Sequence, residues 1–145
     1  MIEELSNSGA IPALEMMLRF AGARQRIIAS NIANVSTPDY RHQDVSVDGF
    51  RAKLREAVEA RRAATGGMHG SLPMESGGEV LLGPAGQMTL VPSQPARGIL
   101  FHDRNNRDLE RLMQDQAENA AAYRVSVDLL RSRFESLRAA IAERA

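Results

Sequence analysis

Residues 106–143 read NRDLERLMQDQAENAAAYRVSVDLLRSRFESLRAAIAE, and neither Gly nor Pro interrupts residues 99–145. Leu109, Met113, Gln116, Ala120, Tyr123, Val127, Leu130, Phe134, Leu137 and Ile141 alternate at spacings of three and four. That is the a/d pattern of a helix with one narrow apolar seam. Asn105 or Asn106 suits the N-cap, with Asp108 in the first turn where a negative charge meets the helix dipole. A helix over about 106–143 would be about 57 Å long at 1.5 Å per residue. A compact chain of 145 residues has a radius of gyration of about 15 Å, so such a helix is built to pair with other helices.

A second, shorter seam lies near the start. Ile11, Leu14, Leu18, Ala21, Gln25, Ile28, Ile32 and Val35 repeat the alternation. Pro12 fits a first turn, where its missing N–H costs nothing. Asn34, able to adopt a left-handed conformation, and Pro38, which disfavours helix at Thr37, mark the end. The spacing predicts a helix over 11–35. Residues 49–64, GFRAKLREAVEARRAA, predict a short amphipathic helix with Phe50, Leu54, Ala57 and Val58 on one side.

Residues 65–98 are different in kind. Gly supplies 8 of these 34 residues and Pro 4. Ordering costs roughly 1–2 kcal/mol per residue, and this composition offers little apolar surface to offset it. The middle is therefore expected to be extended or disordered. Val80-Leu81-Leu82 and Met88-Thr89-Leu90-Val91 stand out as runs able to add strands to a partner. The expected fold is all-α, with long N- and C-terminal helices pairing as a coiled-coil-like hairpin. Its expected parts are the helix at 11–35, a turn, extended segment and short helix at 36–64, a linker at 65–103 and the last helix at 104–145.

Composition excludes several functions. Lys plus Arg equal Asp plus Glu at 18 each, which gives no global pull toward nucleic acid or an anionic membrane. The absence of Cys removes disulfides, thiolate metal sites and thiol nucleophiles. His42, His69 and His102 fall on separate predicted loops, and no phosphate loop or nucleophile-elbow motif occurs. The expectation is no enzyme, no cofactor and no metal. Met1–Ala10 carries Glu3 and Glu4 and no basic residue, unlike a cleaved secretory signal, and no apolar run reaches the roughly 20 residues of a membrane span.

The end of the first helix carries the most specific pattern: Ala29-Ser30-Asn31-Ile32-Ala33-Asn34-Val35-Ser36-Thr37-Pro38-Asp39-Tyr40-Arg41. Asn is a poor interior helix residue, so Asn31 is expected to make a specific hydrogen bond. This stretch resembles the N-terminal signature of the bacterial flagellar rod, hook and hook-filament proteins, among which the short chain points to the basal-body rod family: a small residue followed by N-[IL]-A-N-x-x-T-x-x-[YF]. Ser30, Asn31, Ile32, Ala33, Asn34, Thr37 and Tyr40 match it. Glu118-Asn119-Ala120 followed by Tyr123, and Asn105-Asn106-Arg107-Asp108-Leu109-Glu110, resemble the same family's C-terminal helix. The resemblance covers about 11–60 and 103–143.

The resemblance implies a structural subunit of the proximal rod that polymerises through its terminal helices and helps transmit motor torque. It implies export by the flagellar type III apparatus without cleavage, and a place in the periplasmic part of the basal body. Implied partners are other rod subunits and itself, the adaptor between rod and membrane ring, and the ring. The assembly interface is expected at Asn31, Asn34, Thr37, Pro38, Tyr40, Leu14, Leu18, Ile28, Ile32, Asn119, Tyr123, Val127, Leu130, Phe134 and Leu137. The competing reading is a cytoplasmic coiled-coil adaptor or secretion chaperone, which would not require the Asn-x-x-Asn and Thr-Pro-x-Tyr pattern.

Overall fold

The computed structural model describes residues 7–93 and 108–143. In chain order these form α1 (Ile11–Ala33), α2 (Val47–Thr65), β1 (Val80–Leu82), β2 (Met88–Leu90) and α3 (Leu109–Ala142). The chain is mostly helical, and two long terminal helices dominate it as the periodicity implies.

Pro12 lies in the first turn of α1. The other end departs from expectation: Asn34 has φ −104° and ψ 11°, which is not left-handed. Its backbone N–H and its Nδ2 both donate to the Ser30 carbonyl, at 3.1 and 2.8 Å, so the side chain closes the last turn itself. The left-handed residue is Asp39, φ 60°, in the turn that follows. Ser46 caps α2 by accepting from Gly49 N at 2.9 Å, and left-handed Gly66 ends it. Asp108, expected inside the first turn of α3, instead caps that helix, accepting from Arg111 N at 3.0 Å. Asn105 and Asn106 lie outside the described residues.

Two apolar clusters hold these elements. Ile11, Leu14 and Leu130 are buried together, with Leu18 and Leu137 against them. The start of α1 thus meets the second half of α3, as an antiparallel hairpin requires. Phe20 and Phe50 stack with centroids 3.9 Å apart and rings 7° from parallel, packed with Val45 and Val80. This second cluster joins α1, α2 and the middle segment.

That middle segment corrects the sequence expectation. The two short runs pair with each other rather than waiting for a partner: Val80 faces Leu90, Leu81 faces Thr89 and Leu82 faces Met88. Val80, Leu82, Met88 and Leu90 turn toward the Phe20–Phe50 cluster. Arg19 Nη1 donates to the Gly86 carbonyl at 2.6 Å and fixes the hairpin turn on α1. Gly86 has φ +71°, a left-handed conformation that favours glycine, and a Cβ there would displace the Arg19 guanidinium. Four apolar side chains with helices to lie on suffice to order a Gly-rich hairpin, which composition alone does not reveal. Residues 94–103 of the expected linker lie outside the described residues.

The face that α3 gives to α1 is also displaced. Leu112, Asn119, Ser126 and Leu130 are its buried residues. Leu109, Met113, Tyr123, Phe134 and Ile141 of the expected seam are 43–56% exposed. The helix is turned from its aliphatic stripe by roughly 50°, about half a residue step at 3.6 residues per turn.

Candidate assembly site

The Asn31 side chain is 3% exposed at the inner face of α1. Its Nδ2 donates to the Gln43 carbonyl at 2.6 Å, and its Oδ1 accepts from Gln43 N at 3.0 Å. The primary amide so takes the place of a neighbouring strand's backbone and fastens the chain after α1 back onto the helix. Tyr40 OH donates to the same Oδ1 at 3.1 Å. Thr37 Oγ1 donates to Asn34 Oδ1 at 3.3 Å, and Tyr40 N donates to the Thr37 carbonyl at 3.3 Å. The signature residues therefore form one hydrogen-bonded clasp around the turn.

One residue beyond the clasped Gln43, Asp44 meets Arg24. Arg24 Nε and Nη2 grip its two carboxylate oxygens at 2.9 and 2.6 Å, and Nη2 also reaches Asp115 Oδ1 on α3 at 3.3 Å. Burial opposes the guanidinium's charge; the hydrogen bonds and charges of Asp44 and Asp115 outweigh it and hold its pKa above the ordinary value. Asp44 also pairs through its backbone with Ser93, by bonds of 3.1 and 3.0 Å. Further along α1, Asn119 Nδ2 donates from α3 to the Ala21 carbonyl at 2.9 Å and to Gln25 Oε1 at 3.0 Å. Ser126, 1% exposed, satisfies its hydroxyl on the Ala122 carbonyl and lets the helices close.

His42 sits beside this network, 6% exposed, its ring 5.9 Å from that of Tyr40. Its Nε2 is buried with no hydrogen-bond partner. Burial lowers its pKa, and the charge of Asp108 opposes that shift without cancelling it.

The expected interface residues divide by position. Leu14, Ile28, Asn31, Asn119 and Leu130 are buried within the chain's own hairpin. Leu18, Ile32, Asn34, Tyr40, Val127 and Leu137 are half-buried, while Thr37, Pro38, Tyr123 and Phe134 are exposed. Arg24, Asp44, Asp115 and Ser126 escaped the sequence reading. Arg24 recurs with Ala21 and Ile28 on the inward face, a visible signal, but nothing in the sequence selects its two partners among 18 acidic residues. Among the described residues no group of three or more His, Cys, Asp or Glu is arranged to hold a metal ion. No helix among them is long and apolar enough to cross a membrane.

The model of the family described as "Flagella basal body rod protein" matches residues 21–41, the end of α1 and its clasped turn. In these residues the chain is similar to flagellar basal body rod proteins. Several relatives carry the name flagellar basal body rod protein FlgB. That of Borrelia hermsii is 29% identical over 79% of this chain and 82% of its own length. That of Salmonella typhimurium is 29% identical over 83% of each, and that of Bacillus subtilis 28% over 90% and 92%.

Two outcomes test the clasp and its neighbour. Asn31→Ala should cost about 1–3 kcal/mol in urea unfolding, because the Gln43 backbone loses both of its bonds to the buried Asn31 amide. Asn34→Ala, on a half-buried side chain, should cost about 0.5 kcal/mol or less. Equal losses would remove the special role of Asn31. For His42, the folded chain favours the neutral ring, so the unfolded chain binds the proton first as pH falls through about 6.5. Stability should therefore decline from there downward, and His42→Leu should show a shallower decline; identical slopes would contradict it.

Proposed function

We propose that this rod-family chain is a structural subunit of the proximal rod, joining other rod subunits and copies of itself through α1 and α3 and passing motor torque along the stack. The uncovered aliphatic stripe of α3 carries this reading. Tyr123, Phe134 and Ile141 are each more than 40% exposed, and Val127 is half-buried beside them. A soluble subunit with a repeating apolar stripe along a long helix presents a seam for other helices. Arg124, Arg131 and Arg138, all exposed and seven residues apart, flank that stripe where a paired helix would bring complementary charges.

On this reading the expected interface residues have two roles. Leu14, Ile28, Asn31, Asn119 and Leu130 shape the hairpin; Tyr123, Val127, Phe134 and the exposed Thr37-Pro38 turn meet neighbours. Those neighbours include the rod-to-ring adaptor and the membrane ring, in the periplasmic rod. The subunit reaches them through the flagellar type III export apparatus with its N-terminus uncleaved.

The decisive pair of variants is Phe134→Asp and Leu130→Asp. Phe134→Asp should leave the isolated subunit within about 0.5 kcal/mol of wild-type stability. It should nevertheless be missing from purified hook–basal bodies analysed by mass spectrometry. Leu130→Asp should fail to fold, because it buries an unpaired charge in the Ile11–Leu14 cluster. Wild-type incorporation of the Phe134 variant would overturn the assignment of the stripe to assembly.

A further inference from the structure

The face of α3 away from its aliphatic stripe carries a second repeat. Glu118, Ala122, Val125, Leu129, Ser132 and Ser136 recur at spacings of three and four. Its two large apolar members face solvent, Val125 at 54% and Leu129 at 47% exposure. Beside this ridge a groove of about 650 Å³ opens between α2 and α3, with α1 as its floor. Met17, Leu54 and Val58 give the groove an apolar lining, and Arg51, Arg55 and Arg62 stand along its α2 wall. Ala122 and Glu118 belong to ridge and groove alike, so the two form one continuous surface.

Charge is divided between them. Arg51 has only an exposed 3.5 Å contact with Asp48, and no carboxylate among the described residues pairs with Arg55 or Arg62. On the ridge, Glu118 accepts from Gln114 at 2.9 Å, and Asp128 is exposed without an ion pair among the described residues. Phe50 stacks on Phe20 and Arg61 donates to the Gly9 carbonyl, so α2 runs antiparallel to α1. Since α3 does the same, α2 and α3 are parallel walls. From Glu118 to Asp128 is about 15 Å of helix, and from Arg51 to Arg62 about 16 Å. A copy of α3 laid antiparallel between the walls therefore brings Asp128 to the Arg51 end and Glu118 to the Arg62 end together.

We propose that this surface binds the same surface of a second copy in an antiparallel two-fold dimer. The ridge of each subunit lies in the groove of the other, Val125 and Leu129 on Met17, Leu54 and Val58, with Asp128 against Arg51 and Arg55 and Glu118 against Arg62. A two-fold contact is self-complementary, so both ridges and both grooves are covered in one step. The unpaired arginines meet the unpaired acid, which fixes the antiparallel direction. The pair is closed and leaves the Tyr123–Phe134 stripe of each copy outside. This inference concerns the isolated subunit and does not rest on the rod assignment.

Sedimentation equilibrium of the full-length chain should show monomer and dimer exchanging with concentration. Leu129→Asp should weaken the dimer about ten-fold or more. Phe134→Asp, on the stripe, should leave the soluble dimer unchanged, and both variants should keep the wild-type far-ultraviolet circular dichroism. Asp128→Arg, and separately Arg51→Glu with Arg55→Glu, should each sediment as monomer, because like charges then face each other. Mixed together, these two variants should dimerise, since each ridge again meets a groove of opposite charge. A wild-type chain that stays monomeric at every concentration, a dimer that survives Leu129→Asp, or a mixture that stays monomeric would overturn the proposal. A dimer lost in Phe134→Asp and kept in Leu129→Asp would assign the contact to the stripe and overturn it equally.

Discussion

Arg24 brings a full positive charge into the contact between three segments, and that charge constrains everything around it. A buried guanidinium is tolerated only where carboxylates meet it with good geometry. Asp44 supplies a two-pronged grip from the segment after α1, and Asp115 a third contact from α3. Once these are made, α3 can no longer slide or roll freely on α1. The Asn31 clasp sits two turns further along the same helix and delivers Asp44 to its place, by holding the neighbouring Gln43. Asn119 repeats the logic on the other side of Arg24, tying α3 to the backbone of α1.

The rotation of α3 follows from these polar contacts. Left to its aliphatic residues, α3 would lay Tyr123, Val127 and Phe134 on α1. Asn119 and Ser126 instead occupy the inward line, where Asn119 Nδ2 bonds the Ala21 carbonyl and Gln25 Oε1 and the Ser126 hydroxyl bonds the Ala122 carbonyl. The hairpin is thus closed by a polar line with one apolar cluster at the Ile11–Leu130 end. Half of the aliphatic stripe remains outside. The same feature that fixes the fold of the single chain leaves the surface on which the proposed assembly depends.

The helices were legible because their apolar residues recur at helical spacing, and the boundaries differed by only a few residues. The clasp was legible as a pattern: Asn31 is an unfavourable interior helix residue and so announced a specific bond. Its partner, the backbone of Gln43, was not, because any residue offers the same peptide group. The hairpin at 80–90 was hidden for a related reason. Its glycines and prolines dominate the composition, while what orders it is the Phe20–Phe50 stack, made of residues 30 positions apart and distant from both strands. The turn of α3 was hidden most deeply, since a/d periodicity ranks positions by hydrophobicity, whereas Asn119 wins its place by hydrogen bonding.

Polar contacts, rather than the aliphatic seam, set the register of α1 on α3. Pulsed electron paramagnetic resonance between single labels on the exposed faces of α1 and α3 measures that register directly. The wild-type subunit should give one narrow distance distribution, and Arg24→Met should broaden or shift it while both helices remain formed. An unchanged narrow distribution in Arg24→Met would contradict the account and return the register to the apolar side chains.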